Sequence, residues 1–167
     1  MKQPRILIGG IGNIFHGDDG FGVEVARRLL DERLPEEVRV VDFGIRGYDF
    51  AFALMDGYEA TIMVDAVKRG GTPGTLYLIE VDPNGLAGDS SPADAHAMNP
   101  FRVVQFAKQM GGEMGRVLLL GCEAESFGSE EEGAMGLSAP VEAAIEPTVS
   151  RVRGLVESIL ACQAVGN

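Results

Sequence analysis

The chain has 167 residues, 46% of them hydrophobic, and a formal net charge of -11 from 14 basic and 25 acidic side chains. That length suits one domain spanning residues 1–167 with a real core, since a domain usually takes ~100–200 residues. The acid excess argues against a nucleic-acid partner, which needs a basic patch, and no apolar run approaches the ~20 residues of a membrane span.

The N-terminal Met1-Lys2-Gln3-Pro4-Arg5 leads directly into Ile6-Leu7-Ile8, a run too short for a signal-peptide core. A cytoplasmic location is therefore expected. Residues 5–9 read as a buried strand, followed by a glycine-rich loop through Gly17. A helix is expected over residues 20–34, where Val23, Ala26, Leu29 and Leu30 share one face and Pro35 closes it. Strands follow over residues 38–43 and 60–67, separated by a short helix over 48–55; the second of these strands is apolar enough to be central. A fourth strand covers 75–81, a helix 99–110 and a fifth strand 116–120, and a long last helix begins near Ser138-Ala139-Pro140. The linker 68–74 is too short for a parallel crossover, so the third and fourth strands are expected to be antiparallel neighbours. The other connections contain helices. The pattern predicts an α/β fold in three layers: a mostly parallel five-stranded sheet with one antiparallel strand and helices on both faces. Sites in such sheets form beyond the carboxyl ends of the parallel strands, here in the loops after Gly9, Phe43, Val67 and Leu120.

The first of those loops reads Gly9-Gly10-Ile11-Gly12-Asn13-Ile14-Phe15-His16-Gly17-Asp18-Asp19-Gly20-Phe21-Gly22. As a dinucleotide fingerprint it fails, because Phe15 stands where the third glycine belongs and two carboxylates sit where a pyrophosphate would want bare amides. Helix capping accounts for one aspartate of Asp18-Asp19 and leaves the other to be explained. Asp65 ends the apolar stretch Thr61-Ile62-Met63-Val64, a setting in which an ionised group is costly unless it caps a turn, is paired or binds metal. His96 lies in a polar loop ahead of a helix, within reach of the same sheet edge, although a lone loop histidine is more often simply exposed. Carboxylates mixed with imidazole suit a borderline divalent ion such as zinc or nickel. The acidic run Glu123, Glu125, Glu130, Glu131 and Glu132 reads better as a solvated loop than as a site for a basic segment. Cys122 and Cys162 have no CxxC spacing and are expected to be reduced, buried thiols. No HExxH helix and no Gly-x-Ser-x-Gly elbow is present.

Taken together, Gly10-Ile11-Gly12-Asn13, Gly17-Asp18-Asp19-Gly20-Phe21-Gly22, Val64-Asp65-Ala66, Pro73-Gly74, His96 and Leu120-Gly121 occur in an order that resembles the maturation endopeptidases of nickel-iron hydrogenases. The likeness covers nearly the whole chain. It implies a phosphorylase/hydrolase-like fold and an endopeptidase that removes the C-terminal extension of the hydrogenase large-subunit precursor after nickel insertion. It also implies that Asp19, Asp65 and His96 are both the metal ligands and the catalytic set. Nickel would arrive in the precursor, and other divalent ions such as zinc or cadmium are expected to fit the same site. Cys122 stands where the family often has an aliphatic residue, and His16 where it often has an aliphatic or basic one. The rivals to this reading are a non-hydrolytic metal chaperone or sensor using the same trio, and a nucleotide-binding protein using the glycine loop.

Overall fold

The computed structural model describes residues 3–85, 99–128, 133 and 135–164. Its centre is a five-stranded sheet in the order β2-β1-β3-β5-β4, built from β1 (Ile6–Ile11), β2 (Val38–Gly44), β3 (Ala60–Val67), β4 (Leu76–Val81) and β5 (Arg116–Glu123). Strands β1, β2, β3 and β5 are parallel and β4 runs antiparallel along the edge of β5. A single 3-10 turn, Gly17–Gly20, leads into α1 (Phe21–Leu30). It is followed along the chain by α2 (Gly47–Leu54), α3 (Pro100–Gln109), α4 (Ala139–Glu142) and α5 (Ile145–Ala164).

The two faces of the sheet feed separate cores. Ile6, Ile8, Ile62, Val64, Leu118 and Leu120 meet α1, α4 and α5 through Val25, Leu29, Val141, Val149, Val152 and Val156. On the opposite face Leu7, Met63 and Leu119 meet α2 and α3 through Phe50, Leu54, Val103 and Val104. Alternate residues of each strand thus point to opposite cores, the period-two rule of a pleated sheet. The strands read as continuous apolar runs because both faces are covered. Helix α3 starts at Asn99, whose side chain accepts from the Phe101 amide, with Pro100 in the first helical turn.

Three expectations change. Strands β3 and β4 are not neighbours: β5 lies between them, and the 68–74 linker passes over the carboxyl end of β5. Two strand spacings are only about 10 Å, well within that linker's reach, so its length excludes a parallel crossover without requiring adjacency. Both β1 and β5 are longer than their patterns suggested, since Gly10 pairs with Asp42 and Val64, while Gly121, Cys122 and Glu123 pair with Asp65, Ala66 and Val67. The first helix is shorter, replaced at its start by the 3-10 turn and ended at Leu30.

Candidate functional site

Strand β1 sits at the switch point of the sheet: the chain leaves it through α1 toward β2 on one side and returns through α2 to β3 on the other. Crevices at such points, beyond the carboxyl ends of the strands, are where α/β sheets bind ligands. The pairing of β1 with β3 stops at Gly10 and Val64. Asp65 is the next residue of β3, and the 3-10 turn that carries Asp19 packs against this strand. Close approach there depends on two glycines. A side chain at Gly22 would lie 2.2 Å from the Val64 carbonyl oxygen, and one at Gly12, whose φ is +138°, would lie 1.7 Å from that of Asp19. The glycines of this loop therefore serve backbone contact between turn, helix and sheet.

Asp65 is only 4% exposed, and its Oδ1 has no hydrogen-bond partner among the described residues. Burial holds its carboxyl well above the usual carboxylate range, the charge of Asp19 pushes it further, and the Ala66 amide offsets part of the rise. Asp19 is half-buried and accepts from the Asn13 amide through Oδ2 at 3.0 Å. Its carboxyl is also raised by burial, against the lowering effects of that amide and of His16. The site thus brings together two carboxylates that burial makes hard to ionise, and Asp19 makes Asp65 harder still. Such a pair takes up either protons or a cation, and the buried, unpartnered Oδ1 of Asp65 fits a divalent ion.

Asp18, the other member of the acid pair, has a different environment. It is 1% exposed and accepts from the amides of Glu125 (2.8 Å), Ser126 (3.1 Å) and Ser138 (2.7 Å) and from the Ser138 hydroxyl (2.9 Å). Burial alone would raise its carboxyl, but these donors together bring it below the usual range. Neither aspartate makes a side-chain cap to the helix that follows, whose N-cap is Gly20. Glu123 is likewise no part of a solvated acidic loop: it is 3% exposed at the end of β5 and accepts from the amides of Arg69, Gly70 and Gly71. Glu125 is exposed, as expected. Glu130, Glu131, Glu132 and His96 lie outside the described residues. Among the described residues no three His, Cys, Asp or Glu side chains gather closely enough to hold a metal ion. His16 is half-buried and within electrostatic reach of Asp19. Both cysteines are free, but only Cys122 is buried; Cys162 is exposed on α5.

A family model described as hydrogenase maturation protease matches residues 23–154. This chain belongs to the hydrogenase maturation protease family. The hydrogenase 2 maturation protease of Escherichia coli is 30% identical over 151 residues, which cover 89% of this chain and 88% of that protein. A hydrogenase expression/formation protein of Rhodobacter capsulatus is 32% identical over 157 residues, covering 92% and 73% respectively. Among solved structures, the hydrogenase 2 maturation peptidase of a Thaumarchaeota archaeon superposes with a TM-score of 0.69 at 34% identity, over 92% of this chain and 98% of that one. The hydrogenase maturating endopeptidase of Escherichia coli superposes with a TM-score of 0.75 at 26% identity, over 92% and 93%. The protease fold matches the three-layer architecture described above, and the non-hydrolytic chaperone reading is not favoured.

Two structural carboxylates escaped the sequence reading. Asp18 left a trace, since capping could explain only one of two adjacent aspartates. Glu123 left a weaker one: the apolar run of β5 continues through Gly121-Cys122, which would have placed Glu123 on a strand end.

Proposed function

We propose that this protease acts on a hydrogenase large-subunit precursor already loaded with nickel and removes its C-terminal extension. In this reading Asp19, Asp65 and His96 grip the nickel that the precursor carries, making the enzyme a metal-dependent aspartic-type or metallo endopeptidase of the cytoplasm. The observation that carries the proposal is the buried Oδ1 of Asp65, without a partner among the described residues, at the switch point of the sheet, where the charge of Asp19 raises the carboxyl further. Two like charges in that position repel each other. A divalent ion between them removes the repulsion and supplies the missing partner, so the site gains most from a ligand that is itself a cation. Three protein ligands would leave coordination positions open for the scissile peptide or a water, as a catalytic site requires. Asp19 and Asp65 supply oxygen donors, and His96 would add a borderline nitrogen suited to nickel.

A site with open positions binds free metal only moderately, so the client must supply the ion and much of its geometry. Matched precursors with and without nickel, incubated with the enzyme and followed by intact mass, test this. The loaded form should be cut and the nickel-free form left intact at any enzyme concentration that processes the loaded one. His96→Ala should abolish cutting of the loaded form. Equal cutting of both precursors would show that recognition reads the peptide alone and would end the nickel-gripping mechanism.

A further inference from the structure

Asp19 rides on a 3-10 turn of four residues. Turns this short have little stability of their own. At the ends of this turn the Asp19 amide donates to the His16 carbonyl at 3.2 Å and the Phe21 amide to the Asp18 carbonyl. Yet it must hold Asp19 close to Asp65, a neighbour of the same charge that gains proton affinity from its presence. The turn packs against β3, and with both carboxyls ionised their repulsion would oppose that packing. Something outside the turn must oppose that repulsion.

Asp18 is placed to do so. Its carboxylate is tied to Glu125 and Ser126 just beyond β5 and to Ser138 just before α4, more than 100 residues along the chain from the turn. Its own amide donates to the Ser126 carbonyl at 3.0 Å, so the same residue is held from both sides. The preceding Gly17 has a φ of +57°, and a side chain there would come within 2.9 Å of that carbonyl oxygen. Hydrogen bonds to an ionised carboxylate are about twice as strong as neutral ones, and these are partly buried. We propose that Asp18 is a positioning residue: it clamps the turn so that Asp19 stays aimed at Asp65 before the client's nickel arrives. The clamp acts on turnover only through Asp19, and it rests on the proposed role of Asp19 at the metal. A site fixed in advance loses less free energy on binding than one assembled around its ligand.

Asp18→Asn keeps the size of the side chain but turns an amide NH2 toward at least one donor. In the folded variant, checked by circular dichroism and melting, kcat for the loaded precursor should fall at least ~10-fold while KM changes less than ~3-fold. Titration with Ni2+ alone should show affinity weakened ~10-fold. On an Asp19→Asn background, adding Asp18→Asn should change that affinity less than ~2-fold, because the two substitutions remove one interaction. A purely structural Asp18 would leave kcat unchanged in the folded variant, or weaken Ni2+ binding equally with and without Asp19; either result overturns the inference. Should Asp18→Asn not fold, Ser138→Ala removes only the hydroxyl bond and should lower kcat ~3-fold, and an unchanged kcat there overturns it as well. If Asp19→Asn cuts the precursor like the wild type, the metal reading fails. If Asp19→Asn is inactive and Asp18→Asn turns over normally, only the clamp fails.

Discussion

Asp18 and Asp65 lie at the same edge of the sheet, and both are buried, but they differ in how many donors they are given. Asp18 receives three amides and a hydroxyl, and its proton affinity falls despite its burial. Asp65 keeps one oxygen with no partner and a like-charged neighbour, and its proton affinity rises. Equal burial therefore says little about what a carboxylate does. A satisfied one joins chain segments together, whereas an unsatisfied one destabilises the fold and is tolerated for what it binds.

The sharpest way to break that contrast is Asp65→Asn. It should lower cleavage of the loaded precursor by ~10³-fold or more, because a neutral amide is a poor ligand for a divalent ion. It should also raise the melting temperature of the metal-free protein at neutral pH. The folded carboxyl of Asp65 titrates above its unfolded value of about 3.9, so the folded state holds a proton that the unfolded state has released. Wild-type stability should thus decline as pH rises from about 4 through the raised folded value, and the variant should lack that decline. Melts in chelator from pH 4 to 8 check this; a lower melting temperature for Asp65→Asn at pH 7 would contradict it.

Asp18→Ala should move stability in the opposite direction, by about 2–4 kcal/mol, since it removes a buried carboxylate that holds four partly buried donors. The sign of its pH dependence is opposite too. The folded carboxyl of Asp18 is lowered, so its contribution is present above the unfolded value near 4 and is lost as pH falls through the folded one. Urea unfolding at pH 7 and pH 3 should show a wild-type advantage that shrinks in acid. An advantage that holds or grows at pH 3 would contradict the assignment.

A smaller effect is expected at Glu123. Glu123→Gln should cost about 1–2 kcal/mol and act locally, by loosening the 68–74 linker whose amides it holds. Hydrogen exchange at Arg69, Gly70 and Gly71 should quicken while exchange in β3 stays slow; uniform quickening would show that the clamp is not local. The smallest effect concerns the thiols. Cys162 should react with iodoacetamide in the folded protein and Cys122 only after denaturation, because burial pushes the Cys122 thiol up to about 12. Labelling of both in the native state would be the contrary result.

These differences also mark how far the sequence could be read. Asp65 was legible as a candidate because a charge inside an apolar strand is costly, and that local signal survives without knowledge of its neighbours. The strands and helices were legible for the same reason: each follows from a period within its own segment. The role of Asp18 was not, because its donors come from residues 107 to 120 positions away. Sheet order was hidden by the same distance. The 68–74 linker fixes direction by its length, but the insertion of β5 between β3 and β4 depends on a strand 35 residues beyond the end of β4 (116 − 81). Glu123 was misread because it was grouped with acidic residues that follow it, when its surroundings are set by the strand that precedes it.

The contacts at Gly12 and Gly22 have a consequence for how such an enzyme changes over time. A side chain at Gly12 would push against the turn at Asp19, and one at Gly22 would push α1 off the sheet. This part of the molecule is therefore closed to gradual substitution, and a lineage that acquires a new client must do so elsewhere. The exposed apolar residues Phe15, Ile45 and Tyr48, on the loops after β1 and β2 and at the start of α2, carry no such restriction. Divergence among relatives should concentrate on surfaces like these, while the turn beneath them is inherited intact.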